Sequence, residues 1–171
     1  TYYWVGAIGG LWNTAANWCG GVPTSASNVV IPSGTTFSPS IYQTANAYAN
    51  SVTIDSGAAL SMSNAYSLSI TSGGSIINNG TFNAGNGTVN FAGGGTITGT
   101  ILFYNVNLNG TVSFSNAVTI NNNLRISSGG AVTTNSPTYG SSSSLQYYSG
   151  GSYNRNLEWN ATSGAGYPNN V

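Results

Sequence analysis

Only four side chains of the Asp, Glu, Lys or Arg type occur in the 171 residues: Asp55, Arg125, Arg155 and Glu158. Without His there is no Ser–His or Cys–His nucleophilic pair and no imidazole ligand for a metal, and without Lys there is no Schiff base. The chemistry left is that of two carboxyl groups, which cleave glycosides across a gap of about 5 to 9.5 Å. Asp55 directly follows one apolar triplet of the chain, and Glu158 lies 11 residues past the last triplet. If the triplets stack at about 4.8 Å per coil, five coils hold the two acids roughly 24 Å apart. The pair is too distant, no acidic cluster is visible for calcium, and the chain is read as a non-enzyme with no catalytic residue, metal site or cofactor. The lone Cys19 is read as a small buried or half-buried thiol.

The formal net charge is zero. Neutralising nucleic-acid phosphates or holding an anionic membrane takes clustered Lys and Arg, so neither is an expected partner. No apolar run reaches the length that spans a bilayer, so membrane insertion is not expected either. Solubility falls to Ser, Thr, Asn and 24 Gly, a composition that points to an extracellular or cell-surface β protein. Asn79, Asn86 and Asn109 open Asn-Gly-Thr sequons, and Asn160 a fourth Asn-x-Thr. The first three are read as tight turns, because Asn-Gly readily adopts positive φ.

The elements that must position any site show in a phased pattern. Val29-Val30-Ile31, Val52-Thr53-Ile54, Leu68-Ser69-Ile70, Val89-Asn90-Phe91, Val106-Asn107-Leu108, Leu124-Arg125-Ile126 and Leu145-Gln146-Tyr147 end 23, 16, 21, 17, 18 and 21 residues apart. Six residues after each comes a second large side chain, Phe37, Leu60, Ile76, Ile97, Phe114, Val132 or Tyr153. About 12 residues on comes a third, such as Phe82, Phe103, Ile120 or Trp159. Apolar–polar alternation broken by corners such as Gly93-Gly94-Gly95, Asn121-Asn122-Asn123 and Ser127-Ser128-Gly129-Gly130 is strand spacing. A fixed offset in every repeat favours stacked coils over an antiparallel sandwich. The expected fold is all-β, a parallel β-helix (β-solenoid) of about seven three-sided coils over residues 25–171. Residues 1–24 form an N-terminal aromatic cap. Pro168-Asn169-Asn170-Val171 repeats the approach to the first strand, so that end is expected to be uncapped, with Trp159, Tyr167 and Val171 available for self-assembly.

Strand alternation turns the neighbours of the second apolar position outward. Thr36, Ser38, Ser61, Ser75, Thr96, Thr98, Ser113, Ser115 and Thr133 are therefore expected to form a flat hydroxyl lane, a candidate surface for ice or a crystalline glycan. Trp4, Trp12 and Trp18 are expected either to cap the first coil or to stack on a sugar. Asn-rich corners are expected to form amide ladders.

Trp4-Val5-Gly6, Gly10-Leu11-Trp12, Asn17-Trp18, Gly21-Val22-Pro23 and Asn28-Val29-Val30-Ile31-Pro32 together resemble the opening of large β-helical surface proteins of Bacteroidetes-type bacteria. The stretch from Leu145-Gln146-Tyr147 through Glu158-Trp159 to Val171 resembles them too. The resemblance implies export by the type IX system and an adhesin-like role. The expected function is an extracellular structural or adhesive module that stacks end to end with copies of itself or belongs to a longer surface protein, with ice or glycan binding as the alternative.

Overall fold

The structure is a computed structural model that describes residues 1–171 except Thr44, Asn64, Ser128 and Ser149; the corner residue Ser128 thus lies outside the described residues. The chain winds into a parallel β-solenoid of about six turns, and each turn visits three faces in the same order.

Face one begins with strand Tyr2–Trp4, whose Tyr2 and Tyr3 pair with Val29 and Val30. Val29 and Ile31 stack on Val52 and Ile54, and Val52 on Ile76. Ile76 stacks on Ile97, Ile97 on Phe114, and Val112 on Val132. Face two carries Ala47 and Ala49 on Leu68 and Ile70, then Val89 and Phe91, Val106 and Leu108, Leu124 and Ile126, and Leu145 and Tyr147. Face three holds a separate sheet of strands Ser40–Ile41, Ala59–Met62 and Thr81–Asn83. It continues with Ile101 and Phe103 beside Val118 and Ile120, and with Ile120 beside Tyr139. The rings of Phe82 and Phe103 meet edge-on at 5.5 Å, which bridges the two parts.

The pleat explains the core. Alternate residues of each strand point inward, and the inward set is Val, Ile, Leu and Phe, nearly all fully buried. Each inward side chain meets its equivalents one coil above and below, so burial and ladder hydrogen bonds reinforce one register. Strand Ser67–Asn78 runs over the corner from face two to face one, and its register with Ala47–Ile54 shifts between Ala49 and Ser51.

Three expectations change. The seven triplets do not form one lane, because Val29-Val30-Ile31 and Val52-Thr53-Ile54 lie on face one and the other five on face two. Val52 therefore neighbours Ile76 rather than Leu68. Phe37, expected inside, is exposed and outside any strand. The Asn-Gly pairs are not positive-φ turns: Gly80, Gly87 and Gly110 are absent from the left-handed glycines. Two of them are glycine because the neighbouring coil presses on them. A Cβ at Gly80 would sit 2.4 Å from the Ala58 carbonyl oxygen, and one at Gly110 would sit 2.4 Å from the Gly93 carbonyl carbon.

Candidate functional site

On face one the outward residues line up as a column. Asn28 pairs with Ser51, Ser51 with Ser75, Ser75 with Thr96, Thr96 with Ser113, and Ser113 with Thr133. Five hydroxyl residues thus follow one another at the strand spacing of about 4.8 Å. Thr98 stands one column over, beside Ile77, which itself follows Thr53 and Val30. Ser115 lies just past its strand, its N–H donating to the Ile97 carbonyl at 2.8 Å.

The expected lane is therefore brought together only in part. Ser61 is on face three, paired with Ser40 and Asn83. Thr36 and Ser38 are exposed residues of the loop between Ile31 and Ser40 and join no column. Ser51 belongs to the column and was missed, because Val52-Thr53-Ile54 reads as a different face when every triplet is placed in one lane.

The amide ladders are present. Asn50 Nδ2 donates to Asn28 Oδ1, Asn107 Nδ2 to Asn90 Oδ1, and Asn122 Nδ2 to Asn105 Oδ1, each at 2.7 Å. Hydroxyls extend them: Ser51 Oγ also donates to Asn28 Oδ1, and Thr71 Oγ1 to Asn50 Oδ1, both at 2.8 Å. On face two Arg125 interrupts the series, its guanidinium carbon 3.9 Å from the centre of the exposed Tyr148 ring, and side-chain bonding reaches the last coil through Asn123 Nδ2, which donates to Gln146 Oε1 at 3.0 Å.

The tryptophans are packing residues. Trp4, Trp12 and Trp18 are 0%, 1% and 5% exposed, and Trp18 meets the other two edge-on at 4.9 and 4.7 Å. Trp18 Nε1 donates to the Trp12 carbonyl and Trp4 Nε1 to the Phe37 carbonyl, both at 2.6 Å. With their ring faces spent on one another and on the core, they offer no platform to a sugar. Cys19 is exposed.

At the other end, Asn170 bridges to Ser144 in parallel and accepts the Leu145 N–H at 2.9 Å, which sets the exposed Val171 on the face-two lane. Tyr167 is exposed, while Leu157 and Trp159 pack against the core. Between those two, Glu158 is 0% exposed. Its Oε2 accepts the Val132 N–H at 3.0 Å, and its Oε1 accepts the Asn156 N–H at 2.7 Å and the Tyr147 hydroxyl at 3.3 Å. Tyr139 donates to the Glu158 carbonyl at 2.7 Å, and Tyr153 to the Gly130 carbonyl. Burial, and after it the adjacent Glu158 carboxyl, pushes the Tyr153 hydroxyl up to about 12 and those of Tyr139 and Tyr147 higher still.

Asp55 follows the third rung of face one, and the Val132 amide held by Glu158 is four rungs further on. That spacing is roughly 19 Å, too far for a two-carboxylate reaction. Among the described residues there is no group of His, Cys, Asp or Glu able to hold a metal, and no helix is long and apolar enough to cross a membrane.

No curated protein and no solved structure matches the chain. A family model described as a domain of unknown function, DUF8693, matches residues 3–92, which span the tryptophan cluster and the first coils. That match covers more than half of the sequence, and the chain belongs to the DUF8693 family.

Proposed function

We propose that the chain is a structural or adhesive module of a bacterial cell surface, secreted and without catalytic role. The observation that carries this reading is the pairing of a rigid solenoid with an outer surface of hydrogen-bonded amides and stacked hydroxyls. Such a surface carries few charges over its height, so it approaches other neutral surfaces with little Coulomb repulsion and little dependence on salt. The resemblance to β-helical surface proteins supports the same placement. An antibody raised against the folded chain should label intact cells of the organism that makes it. Labelling that appears only after permeabilisation overturns the reading. Beads coated with the protein should adhere to neutral polysaccharide to the same extent at low and high salt if the module is itself adhesive.

A second reading is favoured by the straight column Ser51–Ser75–Thr96–Ser113–Thr133. Hydroxyls at one regular spacing make a flat contact for ice or for the face of a crystalline glycan. Thermal hysteresis in the parent protein, abolished by Thr96→Tyr, supports ice binding. Its absence from the parent ends that idea, and retention on crystalline cellulose or chitin tests the glycan.

A further inference from the structure

The two ends of face one are closed by different devices. At the start, Trp18–Cys19 pairs with Tyr2–Trp4 antiparallel, so no parallel rung can be added outside Tyr2–Trp4. At the other end the last strand is Ala131–Thr133, which pairs with Thr111–Phe114 on one side only. The outer edge of such a strand presents backbone N–H groups that template a further strand. No further strand of face one follows it among the described residues; instead, side chains occupy the positions a strand would take. Glu158 Oε2 accepts the Val132 N–H, the Tyr153 hydroxyl takes the Gly130 carbonyl, and Tyr139 on face three holds the Glu158 carbonyl. Leu157 and Trp159 pack against the core, in a short 3-10 turn that lies beside strand Ala131–Thr133.

A buried carboxyl is a costly way to satisfy the Val132 amide, since it needs further donors of its own, here the Asn156 N–H and the Tyr147 hydroxyl. Continuing the parallel ladder would satisfy the same amide with an ordinary peptide carbonyl. The carboxyl differs in one respect: it accepts at the edge and offers no strand for the next rung. We infer that residues 153–159 are a plug whose role is to stop a second copy of this chain from pairing with strand Ala131–Thr133. With almost no charge on either copy, little else opposes such pairing. The inference goes beyond the surface-module reading and does not depend on it.

The test uses the full chain. In Glu158→Ala the Val132 amide should exchange with deuterium about tenfold faster, while the mid-column amides of Leu68 and Val106 keep their protection. Sedimentation should then show concentration-dependent association that the parent lacks. The double variant Tyr139→Phe with Tyr153→Phe keeps the carboxyl but loosens the segment, and it should associate more weakly. It also decides the matter if Glu158→Ala fails to fold. A freed Val132 amide in a chain that stays monomeric at every soluble concentration overturns the inference, as does unchanged protection of Val132 in Glu158→Ala. A parent protein that already associates through this edge overturns it as well.

Discussion

Asn107 Nδ2 donates to Asn90 Oδ1 at 2.7 Å, and the two residues stand in direct register on successive coils of face two. In a column with few charges, such side-chain bonds repeat the direction of the backbone ladder on the outer face. Each adds its own increment to the contact between neighbouring coils.

Because both residues are only half-buried, the bond competes with water. Asn107→Ala and Asn90→Ala should each lower stability by about 1 kcal/mol. The double variant should fall short of the sum by about 0.5 to 1 kcal/mol if the bond is the shared term. Chemical denaturation of the four proteins measures this. Full additivity would show that the ladder is a geometric by-product and not a source of stability.

A second prediction concerns the corner between faces two and one. A Cβ at Gly74 would lie 1.8 Å from the Asn50 carbonyl oxygen and 2.7 Å from Ile70 Cγ2, so the two coils must separate to admit it. Gly74→Ala should cost about 3 kcal/mol or more. Gly150→Ala, with nothing within 4 Å of the added carbon, should change stability by less than about 0.5 kcal/mol. Equal melting temperatures for the two variants would mean that the coils part at Gly74 without cost.

Thr134 is a β-branched residue at φ 78, a conformation its side chain disfavours, and its hydroxyl lies 2.7 Å from Ser113 Oγ. That exposed bond is worth less than the backbone strain, which for such a residue is about 1 to 3 kcal/mol. Thr134→Asn should therefore raise stability by about 1 kcal/mol, because Asn tolerates the left-handed region. A lower melting temperature would show that the Ser113 contact outweighs the strain.

The relation of Val52 to its neighbours shows where the sequence stops being legible. Apolar–polar alternation identifies Val52-Thr53-Ile54 as a strand and buries the right two residues, and the repeat leads correctly to a three-sided solenoid. It does not say which face a triplet occupies, because all three faces use the same inward chemistry. The step of 16 residues from Ile54 to Ile70 crosses to another face, whereas the step of 17 from Phe91 to Leu108 is one full coil. Corner length varies too much for spacing alone to separate the two, so the hydroxyl lane was assembled from parts of different faces. Gly80 and Gly110 carried the opposite lesson: their glycines answer to the coil beside them, which no local turn rule includes. In the sequence Glu158 is only a distant acid, since nothing in its neighbourhood along the chain names Val132, 26 residues back, as its partner.

The tyrosines around Glu158 give the last prediction its sign. Tyr139, Tyr147 and Tyr153 have hydroxyl pKa values raised by burial and then by the Glu158 carboxyl, with Tyr153 pushed up to about 12 and the other two higher; Arg155 opposes the rise at Tyr147. A group that holds its proton more tightly in the folded chain stabilises fully below its unfolded value, near 10 for tyrosine. As pH climbs past 10 the unfolded chain ionises first, so stability falls from there through about 12 and beyond, where the folded hydroxyls finally ionise. Denaturation midpoints should accordingly be flat from pH 8 to 9.5 and drop above it, and Tyr139→Phe with Tyr147→Phe should flatten the drop. Ultraviolet titration gives an independent reading, since three of the 11 tyrosines should form tyrosinate late and only as the C-terminal segment loosens. Release of all 11 in a single step near pH 10 from a chain that remains folded would mean that the cluster around Glu158 is open to solvent, and the plug at Val132 would lose its physical basis.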